Sequence, residues 1–87
     1  MTIADDVVAQ CEQCLLNISA ALEQAGCTLA DTVRVHYILP DANDFEPCWP
    51  VLRHYFGDIK PAATMFAAGL SSPDMRIEIE VTARKRS

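Results

Sequence analysis

One segment constrains this chain more than any other. Met75-Arg76-Ile77-Glu78-Ile79-Glu80-Val81-Thr82-Ala83 alternates apolar and polar residues without a break. A period of two is the signature of a strand that buries one face and not the other. Ile77, Ile79 and Val81 share one face; Arg76, Glu78, Glu80 and Thr82 share the other. Such a strand needs partner strands and an apolar cover for one side of the sheet.

The rest of the sequence supplies both. Residues 33–39 read as a second strand, with Val33, Val35, Tyr37 and Leu39 on one face and Arg34, His36 and Ile38 on the other. Residues 62–68 are a small-residue strand, and Gly69 to Asp74 a loop. Residues 3–25 read as an amphipathic helix with a stripe of Val8, Cys11, Leu15, Ile18 and Leu22, widened by Val7, Cys14, Ala21 and Ala25. Thr2 is placed to cap it, with Asp5 and Asp6 in its first turn, and Gly26 to end it in a left-handed conformation. After the turn Pro40-Asp41-Ala42-Asn43-Asp44, Asp44 is expected to cap a helix running to Phe56, with Phe45, Trp49, Leu52 and Phe56 on one stripe. Pro47 suits a first turn, whereas Pro50 either kinks that helix or delays its start. The order is α-β-α-β-β. The fold class is α+β: one domain, 1–87, with two helices on one face of a small sheet. The opposite face carries Arg34, His36, Glu78 and Glu80, and either meets solvent or another subunit.

Composition sharpens this. A domain of 87 residues buries only about 60–65% of its unfolded surface. An apolar fraction of 51% is high for that size and favours covering part of the surface by oligomerisation. A net charge of −5 is a poor match for a phosphate backbone, so nucleic acid is not expected as a partner. The basic run Arg84-Lys85-Arg86 reads as a solvated tail. There is no stretch of the ~18 apolar residues a membrane span needs and no signal-peptide pattern at the N-terminus. The four cysteines are therefore expected as thiols in a cytoplasmic protein.

Few residues advertise chemistry on their own. Cys11-Glu12-Gln13-Cys14 is a CxxC, but it lies mid-helix, away from the helix N-terminus that activates redox thiols, and reads as core. Cys27, Cys48, His36 and His54 form no second tight pair, so no metal site is expected. His36 and His54 have no paired nucleophile. Glu78 and Glu80 lie two apart on one strand face, either as a general acid–base pair or as a solvated face salt-bridged to Arg34 and Arg76. Trp49, the one tryptophan, reads as core or interface packing.

Several segments together resemble the Rid (YjgF-type, L-PSP endoribonuclease-like) family of imine/enamine deaminases. These are Asn17-Ile18 with Ala21-Leu22 and Ala25-Gly26, then Asp31-Thr32-Val33-Arg34-Val35, then Leu39-Pro40, Asp44-Phe45 and Tyr55-Phe56, then Lys60-Pro61-Ala62, then Ile77-Glu78-Ile79-Glu80-Val81. Their order and spacing run across nearly the whole chain. The resemblance implies a homotrimer with a chorismate-mutase-like fold and clefts between subunits that bind small carboxylate-bearing metabolites. Active members hydrolyse enamines and imines such as 2-aminoacrylate to keto acids and ammonia, with no metal or organic cofactor. In them an arginine holds the substrate carboxylate and a closing-strand glutamate positions the attacking water. That glutamate falls on Glu78.

Three departures are visible. Where the family has its arginine this chain has Ala63, followed by Thr64 and Met65. The asparagine many members carry in the second helix falls on Trp49. The family's opening β-hairpin is not contained in this sequence, so the resemblance covers the C-terminal two-thirds of a family subunit and leaves a sheet edge uncovered. The expected function is a Rid-family small-molecule-binding protein that hydrolyses an imine, an enamine or a related metabolite, weakly or on a changed substrate. Glu78 is its catalytic residue; Trp49, Ala63, Thr64 and Met65 form the substrate pocket. The alternatives are a non-catalytic ligand-binding or interaction module and, disfavoured by charge, an endoribonuclease.

Overall fold

The computed structural model describes residues 6–85. Helix α1 spans Val7–Gln24, strand β1 Thr32–Leu39, helix α2 Trp49–Phe56, strand β2 Ala62–Ala67 and strand β3 Glu78–Ala83. The architecture is the expected α+β order α-β-α-β-β. The sheet order is β2-β1-β3, with β1 parallel to β2 and antiparallel to β3. Short 3₁₀ turns at Leu29–Asp31, Ala42–Asp44 and Glu46–Cys48 join the elements.

α1 is capped by Asp6, whose carboxylate accepts from the Val8 backbone N–H at 3.0 Å. Asp6 was expected inside the first turn; it sits instead at the boundary, because its side chain satisfies a donor the helix leaves open. The cap expected at Thr2 lies outside the described residues. At the other end Gly26 takes φ 81. Cys27 N–H donates to the Leu22 carbonyl and Gly26 N–H to the Glu23 carbonyl, the paired bonds of a Schellman ending. Val7, Cys11 and Leu15 are buried, but Ala21 and Ala25 are exposed. The apolar stripe therefore packs in the first half of the helix and does not widen at the end as expected.

α2 starts at Trp49, not after Asp44. Pro47 and Pro50 lack the N–H an α-helical turn uses, so the chain makes 3₁₀ turns first and takes Pro50 into the opening turn of α2, where no donor is missed. Leu52 and Phe56 bury against Tyr37 and Leu39 of β1 in the core.

β3 begins at Glu78, three residues later than the alternation suggests. The preceding residues are held by a buried side chain: Gln10 of α1 donates to the Asp74 carbonyl at 2.9 Å and accepts from Arg76 N–H at 2.8 Å. The Arg76 side chain makes an ion pair with Asp44, in the turn after β1, at 3.0 Å. Val33 is also displaced from its expected place. A register irregularity between Thr32 and Arg34 turns it outward, to 48% exposure, and buries Thr32 instead. β2 is exposed at every position but Met65, and among the described residues its outer edge has no strand beside it.

Candidate functional site

The sheet sorts the candidate residues by parity. Val35, Tyr37 and Leu39 face the helices and are buried. Ala63 lies in register with Val35, and Met65 with Tyr37, so both face the helix side. Thr64 lies in register with His36, which pairs on its other flank with Glu80; Ile38 pairs with Phe66 and with Glu78. Thr64 and Glu78 therefore share the uncovered face, and both are exposed.

On the helix side, α2 and β2 enclose a cleft of about 300 Å³, lined by Tyr37, Trp49, Leu52, Arg53, Phe56, Gly57, Lys60, Pro61 and Ala63. Trp49 is not core. It is 46% exposed and is set at the cleft wall by an aromatic row. Phe45 meets it edge-on at 6.2 Å, and Tyr37 meets Phe45 at 5.1 Å. Burial pushes the Tyr37 phenol up to about 12, with Cys11 adding to it, so this wall stays neutral at physiological pH. The charges of the lining residues are those of Arg53 and Lys60.

Trp49 and Ala63 thus come together in one cleft, with Met65 beside it on the same sheet face. Glu78 and Thr64 do not join them within one chain. On their face, Phe66 is 46% exposed and stacks edge-on against His36 at 5.5 Å. A second, more polar cavity of about 460 Å³ lies by Asp31, Thr32, Arg84 and Lys85, and includes no candidate residue.

Tyr37, Arg53 and Lys60 are cleft residues to which sequence reasoning gave no site role. Arg53 lies four residues after Trp49, on the same helix face, a readable signal. Lys60 was not readable: it has φ 51, the one non-glycine residue in the left-handed region among the described residues.

Cys11 and Cys48 belong to the buried core, with Cys14 packed against it. Cys11 is fully buried, and burial first, then the adjacent Cys48, pushes its pKa up. Cys14 is raised by burial and then by the charge of Glu78. Neither is an activated thiol. Among the described residues no group of three His, Cys, Asp or Glu side chains is placed to hold a metal ion, and no helix is long and apolar enough to cross a membrane.

The chain is similar to known proteins along nearly its whole length. The sequence pattern of the family described as Endoribonuclease L-PSP matches residues 1–85. A RutC family protein of Pyrococcus horikoshii is 40% identical over 83 residues, covering 95% of this chain and 66% of that protein. A 2-iminobutanoate/2-iminopropanoate deaminase of Capra hircus is 34% identical over 77 residues, covering 88% of this chain and 56% of that protein. The chain thus spans less than two thirds of either. A crystal structure of a YjgF/YER057c/UK114 family member from Mycobacterium tuberculosis superposes with a TM-score of 0.82 at 36% identity, over 92% of this chain and 69% of that one.

Proposed function

The chain belongs to the Endoribonuclease L-PSP family, the Rid or YjgF group, and on that premise we propose that it binds a small metabolite in the α2–β2 cleft and hydrolyses an imine or enamine there. The observation that carries this reading is the parity of the sheet: the cleft and Glu78 lie on opposite faces. A complete site then takes the cleft from one copy and Glu78 from another, in a homotrimer. The exposed Phe66 and the half-buried Ile38 on the uncovered face support an assembly of this kind. A small-molecule reaction with free thiols fits a cytoplasmic setting.

The chemistry needs a positioned base. The Glu78 carboxylate takes a proton from water as the water oxygen bonds to the imine carbon and the C=N π pair moves to nitrogen, which is protonated. The carbinolamine then loses ammonia and leaves a carbonyl, so one water is consumed for each ammonia released. The walls at Leu52, Phe56 and Pro61 give the substrate an apolar surface to rest on. Thr64, on the same face as Glu78, supplies a hydroxyl to a polar substrate group.

The test is ammonia release from amino-acid-derived imines formed in situ. Glu78→Ala is expected to lower the rate about 100-fold, the scale of a lost general base. Equal rates in the two proteins would remove Glu78 from the mechanism.

Ala63 favours a second reading, a ligand-binding module without turnover. Where the family resemblance implies an arginine, the wall carries a methyl group and no charge. Thermal stabilisation by keto acids or amides with no ammonia release in any imine assay is the outcome that reading expects. An endoribonuclease reading lacks a basic groove, given the net charge of −5.

A further inference from the structure

The cleft differs from a general apolar groove in how its charge is placed. Tyr37, Trp49, Leu52, Phe56, Pro61 and Ala63 form uncharged walls, while Arg53 and Lys60 are both cationic and both exposed. No acidic residue lines it. In a chain of net charge −5 with seven Lys and Arg, two cations and no acidic residue along one cleft favour an anion there. Among the described residues neither makes an ion pair.

Lys60 adds an independent observation. Its φ of 51 lies where glycine or asparagine is the easier residue, yet the position keeps a long cationic side chain. The turn holds it there, with Lys60 N–H donating to the Phe56 carbonyl at 3.1 Å. Strained backbone of this kind concentrates at functional sites. The cleft, of about 300 Å³ and open to solvent on one side, admits a ligand of one aromatic ring and a short acid tail.

We propose that this cleft selects an apolar organic acid of phenylpropionate size, with the ring against Trp49 and the carboxylate held at the mouth by Arg53 and Lys60. The anion anchor therefore sits on α2 and the turn after it, not on β2 at Ala63. This inference rests on the reading of the cleft as the substrate site and names the substrate class.

Trp49, the one tryptophan, reports directly on occupancy, so turnover is not needed for the test. The intact protein is titrated with 3-phenylpropionate, with its neutral isostere 3-phenylpropionamide, and with propionate, following tryptophan fluorescence. A saturable change is expected for 3-phenylpropionate, with binding about tenfold weaker for the amide and for propionate. Arg53→Gln and Lys60→Asn are each expected to weaken the acid about threefold and leave the amide unchanged; asparagine tolerates the left-handed backbone. Equal affinity for acid and amide overturns the anchor. No saturable change with any of the three ligands overturns the ligand class. Glu78→Ala takes no part in these measurements, so failure of the catalytic reading and failure of this inference are separate results.

Discussion

At the scale of single residues, Glu78 and Ala63 define the account, and their opposite orientation matters more than their identities. Ala63 faces the cleft without charge, so a cation placed there has a clear consequence. Ala63→Arg is expected to add a second anion anchor on the cleft wall and tighten short carboxylates such as pyruvate about tenfold through charge-assisted hydrogen bonds, read from Trp49 fluorescence; unchanged affinity would mean that a cation at position 63 does not reach the cleft. Cys11 makes a prediction about pH. Its folded pKa is raised by burial and by Cys48, so the native state keeps a proton that the unfolded chain sheds above the usual thiol range. Stability is then full below pH ~8.5 and falls as pH rises beyond it. Urea unfolding of Cys11→Ala is expected to show a shallower alkaline decline than the wild type; an unchanged slope would exclude Cys11 as its source. Residue-level legibility was uneven. Glu78 and Ala63 were singled out only through the family pattern around them. Val33 was misplaced because a bulge resets strand parity, and Lys60 was overlooked because no sequence rule puts a lysine in the left-handed region.

At the scale of elements, the alternation of β3 and the stripe of α1 were legible because their periods differ and both are long. The boundaries were not, for a specific reason. Gln10, a polar residue on α1, turns inward to make the two hydrogen bonds that pin residues 74–76. That contact is long-range, and nothing near Gln10 in the sequence announces it. Gln10→Ala is expected to cost about 2 kcal/mol, because it leaves the Arg76 N–H without its acceptor, and to speed amide exchange at Arg76 while the β1–β3 ladder stays protected. Loss of protection across the whole sheet instead would mean that Gln10 supports the core rather than the segment before β3. The start of α2 was set by its prolines: Pro50 left two outcomes open, and the structure takes the delayed start.

At the scale of the whole molecule, helices cover one sheet face and leave Arg34, His36, Ile38, Phe66, Glu78 and Glu80 on the other. The α+β order and the side of the sheet that carries Glu78 were readable from the sequence, whereas the turning of Ala63 toward the helices and of Thr64 away from them was not, because the register of β2 on β1 decides it and no local pattern encodes register between distant strands. The proposed homotrimer makes the separation of Glu78 from the cleft functional. Sedimentation at micromolar concentration is expected to give a trimer, and Phe66→Lys to shift it toward monomer, since a buried cation is costly; a monomeric wild type would contradict the assembly. The most direct measurement is complementation between two defective chains. Glu78→Ala keeps an intact cleft, and Ala63→Trp blocks the cleft but keeps Glu78. If the site is shared between copies, unfolding and refolding the two variants together restores imine hydrolysis that neither shows alone. If cleft and Glu78 act within one chain, the refolded mixture shows no more activity than its parents.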